Sequence, residues 1–119
     1  MHQVPKTCGD SCRETVTSLR QVHRSTGRNQ SRIRMVLVSE NPDPQQAGEL
    51  QSIYPVFQVV QLNPALSANL QTIPGSTEGS TYLIDPLGNI MMSYAAGADP
   101  NDLKKDLKRL LTWSKLDEN

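Results

Sequence analysis

The only two cysteines of the chain, Cys8 and Cys12, lie four positions apart in the segment TCGDSC. A thiolate is the nucleophile of disulfide exchange and also a ligand for soft metals such as Cu(I). Two such groups at this spacing indicate a redox couple, part of a metal site or a short structural disulfide, unless they are ordinary small residues near a core. Because a disulfide across so short a loop gains little loop-closure entropy, a purely structural role is the weakest of these uses.

A predicted helix follows the cysteine pair. In RETVTSLRQVHRST, residues 13–26, apolar side chains recur at helical spacing, and Gly27 is a stop signal. Unpaired N–H groups and the helix dipole stabilise an anion at a helix N-terminus, so the thiolate form is favoured there. With Cys8 just before the helix and Cys12 in its first turn, we expect the two sulfurs to come within bonding reach.

Two other cysteine chemistries fit the sequence poorly. A structural zinc needs four ligands, and only His2 and His23 could supplement the sulfurs. His23 lies about 16 Å along the helix from Cys12 at 1.5 Å per residue, and we expect His2 to be a frayed terminus. Peroxiredoxins have a proline and a threonine at set distances before their reactive cysteine, and Pro5 and Thr7 stand at other offsets from Cys8.

The rest of the pattern predicts alternating strands and helices in one domain, residues 1–119. The predicted elements are strands at 33–39 and 55–62, helices at about 44–53 and 63–71, a hairpin at 80–94 that turns at 85–89, and a last helix capped by Asp99 and begun by Pro100. A β-α-β unit followed by a hairpin and a helix is the element order of the thioredoxin fold. MHQVPK leaves room only for the end of that fold's first strand.

Several segments resemble the Sco/SenC proteins. TCGDSC followed by a helix resembles their Thr-Cys-Pro-Asp-x-Cys-Pro motif, YLIDPLGNI their hairpin, and GADPNDLKKDLKRLL their final helix. Those proteins are membrane-anchored thioredoxin-fold domains that help to assemble the copper centre of cytochrome c oxidase. The resemblance implies an α/β, thioredoxin-like fold, a central mixed sheet flanked by helices, with its first strand missing or truncated.

The resemblance also assigns roles to residues of the motif. Cys8 and Cys12 carry over as the two thiols, which act as a redox pair or hold Cu(I), and Asp10 carries over as a supporting acid. The family's third copper ligand is a histidine where this chain has Thr77, and no histidine follows His23. A three-ligand copper site therefore cannot form from this chain alone, and a redox role is favoured over copper delivery.

The resemblance implies a partner and a location as well. The partner would be a subunit or an assembly factor of cytochrome c oxidase. The domain would be the soluble part of a protein on the periplasmic face of the cytoplasmic membrane, with its anchor upstream. No apolar stretch here approaches the roughly 20 residues that span a bilayer.

Two alternative functions stay open. One is a non-catalytic interaction module that kept the fold. The other is a generic thiol-disulfide oxidoreductase, which is weakened because Gly79 or Ser80 stands where typical thioredoxins have a cis-proline before the hairpin.

Charge is distributed unevenly although the net charge is zero. Residues 1–34 hold seven Lys and Arg against two acids, whereas residues 35–98 hold five acids and no Lys or Arg. Arg13, Arg20 and Arg24 recur along one face of the first helix, and Arg28 extends the row. This row is either a solvated face or a docking surface for an acidic partner or an anionic membrane. Zero net charge and 4% aromatic residues argue against nucleic-acid binding.

Overall fold

The computed structural model describes residues 1–40 and 43–117, with the backbone alone for 113–117. The strands in these residues are β1 His2–Gln3, β2 Val36–Ser39, β3 Gln58–Gln61, β4 Thr81–Ile84 and β5 Ile90–Tyr94. The α-helices are α1 Asp10–Arg24, α2 Pro44–Ile53, α3 Pro64–Gln71 and α4 Pro100–Asp117. A short 3₁₀-helix, Gly27–Arg32, follows α1, and the sequence pattern did not predict it.

The strands form one mixed sheet in the order β3-β2-β1-β4-β5. β1, β2 and β3 are parallel, while β4 is antiparallel to both β1 and β5. The two parallel crossovers run in the same direction across the sheet, so right-handed connections place α1 and α2 on the same face. The predicted β-α-β unit, hairpin and terminal helix are all present.

The first strand is truncated but lies in the centre of the sheet. On one side, the Val4 N–H donates to the Val38 carbonyl over 2.8 Å. On the other side, the Gln3 N–H donates to the Ser80 carbonyl over 2.9 Å, and the Gly79 N–H donates to the Gln3 carbonyl over 2.7 Å. Short as it is, β1 therefore bridges the parallel half of the sheet and the hairpin.

Apolar side chains form one cluster on each face of the sheet. The larger cluster joins α1, α2 and α4 to the sheet through Val4, Cys8, Val16, Leu19, Val22, Leu37, Leu50, Phe57 and Leu103. On the opposite face, α3 covers the smaller cluster of Val38, Leu62, Leu70 and Tyr82. The motif cysteines belong to the face that carries three helices.

The ends of α1 differ from the predicted range of 13–26. The helix begins at Asp10, because the Gly9 carbonyl already accepts the Arg13 N–H over 3.0 Å. It ends at Arg24, where the hydroxyls of Ser25 and Thr26 bond back to carbonyls of the preceding turn. Both predicted strands are also shorter than expected, whereas α2 has the predicted bounds.

The hairpin turn matches its prediction. The Asp85 carboxylate accepts the N–H groups of Leu87 and Asn89 over 2.9 and 2.8 Å. Gly88 has φ of 90°, the region that favours glycine. The pairing shifts by one residue after Leu83, so β5 contains an irregularity next to Met91, as is common on edge strands.

The expectation that His2 is a frayed terminus is wrong. Its side chain is only 2% exposed. It lies on the face of the sheet that carries α1, α2 and α4, since His2 pairs with Leu37 of the larger apolar cluster. The Nδ1 atom is 2.8 Å from Thr81 Oγ1. Burial, followed by the neighbouring positive charge of the Met1 amino group, lowers the pKa of His2 from 6.5 to about 4.

Replacing His2 with glutamine should reduce the acid sensitivity of the fold. The unfolded chain binds the histidine proton near pH 6.5 but the folded chain only near pH 4. The stability that depends on neutral His2 is therefore complete above pH 6.5 and is lost as the pH falls through 4. Between pH 7 and 4.5, the wild type should lose about 2–3 kcal/mol more than His2→Gln in urea unfolding. Equal losses in the two proteins would contradict this assignment.

Candidate redox site

Cys8 and Cys12 are joined in a disulfide at the start of α1. Cys8 directly precedes the N-cap residue Gly9, and Cys12 is the third residue of the helix. Their Cα atoms are 5.1 Å apart. The expected placement on either side of the helix start is therefore present, while the use of the pair in redox chemistry stays a prediction.

The helix N-terminus leaves hydrogen-bond donors available beside the sulfurs. Gly9 has no side chain with which to cap α1, and no side-chain cap bond is made. The first N–H groups of a helix lack partners within it, and their dipoles favour a nearby negative charge. This environment suits a thiolate released when the disulfide is reduced.

Asp10 lies in the first turn of α1, and its side chain is exposed. A carboxylate there interacts favourably with the helix dipole, but its negative charge opposes a thiolate nearby. The supporting role assigned to Asp10 stays a prediction.

The two cysteines differ in exposure. Cys8 is 7% exposed and belongs to the larger apolar cluster together with Val4. Cys12 is only partly buried and packs against the edge of that cluster. A molecule approaching from solvent therefore meets Cys12 more readily than Cys8.

One face of α2 contacts the cysteine motif and the helix that follows it. The Oε1 atom of Gln46 accepts the Cys8 N–H over 3.1 Å. One turn further along, Glu49 pairs with Arg13 over 2.7 Å. After one more turn, the Ile53 carbonyl accepts an N–H of Arg20 over 2.9 Å. Sequence reasoning missed Gln46, because its contact with Cys8 crosses 38 positions of the chain.

These contacts separate the four arginines of the predicted basic row into two that contact α2 and two that do not. Arg13 and Arg20 point toward α2, and the Arg20 Nε atom is buried without a hydrogen-bond partner. Arg24 and Arg28 are exposed. The four arginines therefore do not form one continuous free surface.

A cleft of about 220 Å³ lies between α1 and the segment that connects β5 to α4. The hydroxyl-bearing residues among those that line it are Ser11, Thr15, Ser18, Thr81 and Tyr94. The carboxylates of Glu14 and Asp99 also line it. Ser11 lines the cleft next to Cys12 in sequence, but neither Cys8 nor Cys12 is among the lining residues.

Tyr94 ties this cleft to the last helix. Its hydroxyl donates to Asp106 Oδ2 over 2.6 Å. Burial, and then this bond to a carboxylate, raises the pKa of Tyr94 above its ordinary value. The phenol is therefore neutral at physiological pH and keeps the start of α4 close to β5.

The ligands for a three-ligand copper site are not brought together. Thr77, where the Sco/SenC histidine stands, is exposed, and its Oγ1 donates to the Glu78 carbonyl. His23 is bonded to the Tyr54 hydroxyl and the Gln30 carbonyl, and His2 to Thr81. Within residues 1–40 and 43–117, no group of three or more His, Cys, Asp or Glu could hold a metal ion. The described residues therefore do not fit such a site.

Comparison with known proteins defines the class and then the family. A solved structure of ScoI from Bradyrhizobium japonicum, with copper bound, superimposes with a TM-score of 0.60 at 21% identity. The match covers 86% of this chain and 77% of that one. The protein is thus an α/β protein of thioredoxin-like fold, and the fold predicted from the sequence is confirmed.

The family is given by a second match. The model described as "transmembrane-like, thioredoxin-like, C-terminal domain" matches residues 1–114, and the chain belongs to this family. No relative is found among curated proteins. In the part of the chain that the structure describes, no helix has the length and apolar character needed to cross a membrane.

Gly79, at one end of the cleft, should tolerate alanine less well than Gly88. Both residues have φ of 90°, which costs an L-residue about 1–2 kcal/mol. A Cβ at Gly79 would also lie 2.9 Å from the Ala96 Cβ, whereas a Cβ at Gly88 would meet nothing within 4 Å. In urea unfolding, Gly79→Ala should therefore lose at least about 1 kcal/mol more than Gly88→Ala. Equal losses would show that the connecting segment at Ala96 moves aside freely.

Proposed function

We propose that this domain exchanges disulfides with a protein partner through Cys8 and Cys12. The observation that carries the proposal is the position of the disulfide across the N-terminus of α1, with Cys12 only partly buried. A thiolate is stabilised in this position when the bond opens. A purely structural staple would not need the helix terminus.

In the proposed direction, the domain keeps cysteines of its partner reduced. A thiolate of the reduced domain attacks the partner's disulfide and forms a mixed disulfide, and one partner sulfur leaves as a thiolate. The second cysteine of the domain then attacks the mixed disulfide and releases the other partner sulfur. Two electrons pass to the partner, which takes up two protons as its thiols form, while Cys8 and Cys12 become a disulfide.

We place this reaction in the assembly of cytochrome c oxidase, with an oxidase subunit or an assembly factor as the partner. The motif resemblance to the Sco/SenC proteins supports this setting, together with the likeness of the fold to ScoI. The description of the family as transmembrane-like supports an anchored protein. The periplasmic face of the cytoplasmic membrane is the proposed location.

Copper handling is the second candidate. The ScoI structure holds copper, and after reduction two thiolates could carry Cu(I) as cargo in low coordination. Cu(I) titrations of the reduced wild type and of the Cys8→Ser/Cys12→Ser variant decide this point by comparing their affinities. Equal affinity in the two proteins would remove copper handling through this pair.

A redox titration tests the main proposal. In dithiothreitol buffers of graded ratio, the wild type should convert reversibly between disulfide and dithiol, because both sulfurs stay in reach after reduction. Thiol labelling can follow the conversion. The double serine variant is the control and should show no transition. A wild-type protein in which Cys8 and Cys12 do not re-form their disulfide would contradict the proposal.

Single serine variants test which sulfur meets the external thiol. Cys8→Ser leaves the less buried Cys12, and Cys12→Ser leaves the buried Cys8. Cys8→Ser should form the mixed disulfide with oxidised glutathione several-fold faster, since exchange depends on access. Faster reaction of Cys12→Ser would reverse the assignment.

A non-catalytic interaction module predicts a different set of results. In that case the double serine variant would keep full binding to the partner and full activity in cells. Loss of activity with retained folding would favour the thiol chemistry instead.

A further inference from the structure

Gln46 is the side chain of α2 that contacts the cysteine motif directly. Its Oε1 accepts the N–H of Cys8 over 3.1 Å in a partly buried contact. The neighbouring pair between Arg13 and Glu49 is about half exposed on both sides, and exposed ion pairs contribute little. Among these contacts, only the Gln46 bond acts on the backbone of a cysteine.

The remainder of α2 holds Gln46 in place. Leu50, one turn along the helix, is buried in the larger apolar cluster. Asp43 caps the first turn by accepting the Gln45 N–H, and Pro44 starts the helix. The amide of Gln46 is therefore presented to Cys8 from an anchored helix rather than from a loop.

We propose that Gln46 is a positioning residue that sets the redox equilibrium of the Cys8–Cys12 pair. This inference rests on the proposed thiol–disulfide exchange and deepens it. Gln46 keeps the Cys8 backbone at the place where its sulfur can close onto Cys12.

The physical reason lies in the difference between the two redox states. In the disulfide state the covalent bond already restrains Cys8, so loss of the Gln46 bond adds little freedom. In the dithiol state only noncovalent contacts restrain the segment before Gly9. Without the Gln46 bond that state gains conformational entropy, the effective concentration of one thiol at the other falls, and the disulfide becomes easier to reduce.

The test compares three variants with the wild type in the same dithiothreitol titration. Q46L removes the acceptor. Q46E keeps an acceptor oxygen at the same length of side chain and adds a negative charge. Q45L is the matched control, because Gln45 is the exposed neighbour on the same helix and its side chain makes no hydrogen bond to the residues that the structure describes.

Q46L should make the disulfide about threefold to tenfold easier to reduce, the range that the net contribution of one hydrogen bond gives. This is a shift of about 14–30 mV, at 29.6 mV per tenfold change. Q46E should not make reduction easier, since it restores the acceptor and its charge disfavours a thiolate in the reduced form. Q45L should titrate like the wild type.

Urea unfolding of both redox forms separates this role from a general structural one. If Gln46 positions Cys8, Q46L should lower the unfolding free energy of the reduced form less than that of the oxidised form. The difference between the two losses should equal the free-energy change that corresponds to the shift in the redox titration. If Gln46 only supports the fold, both forms should lose equal stability and the redox equilibrium should not move.

The inference is overturned if Q46L shifts the equilibrium less than threefold, or if Q46E becomes as easily reduced as Q46L. The wild-type titration keeps the two proposals apart. If the wild-type pair shows no reversible redox transition, the proposed function is contradicted. If the wild type is reversible and Q46L titrates like it, only the role of Gln46 is contradicted.

Discussion

Main-chain hydrogen bonds hold β1 on both sides, to β2 through Val38 and to the start of the hairpin through Ser80. This strand has only two residues, yet it is the element through which the parallel strands and the hairpin become one sheet. The cysteine motif follows β1 within a few residues, so the position of the strand also determines where Cys8 leaves the sheet. In a sheet of this kind, functional groups collect where strands end and helices begin.

The second constraint is the packing of α1 between two other helices. Both α2 and α4 contact α1 on the same face of the sheet. On one side, α2 contacts the motif through its polar face. On the other side, the start of α4 and the end of β5 leave the cleft that Ser11 lines. The disulfide therefore lies beside a supporting helix, with Cys8 buried and Cys12 partly exposed.

The same arrangement weighs against the usual copper site. Sulfur ligands are present, but Thr77 replaces the histidine, and the histidines at positions 2 and 23 have other hydrogen-bond partners. What the described residues offer is a disulfide at the N-terminus of a helix, the feature on which the proposed exchange rests.

Local chemistry was readable from the sequence alone. Gly88 at the hairpin turn, Asp99 and Pro100 at the start of α4, and the approximate range of α2 follow from short-range preferences of the backbone. The placement of the cysteines at a helix start was also predictable, because apolar spacing begins just after them. These features depend on residues that are near one another in the chain.

Other features were decided only by tertiary structure. The burial of His2 depends on the strands paired on either side of β1. The contact of Gln46 with Cys8 and the division of the basic row by Glu49 depend on the docking of α2 against α1. No local preference encodes such contacts, since they join positions more than 30 residues apart and arise only when apolar faces pack. The sequence by itself therefore determined the main helices and strands and the cysteine pair at a helix start, and the packing of the helices on the sheet decided what surrounds that pair.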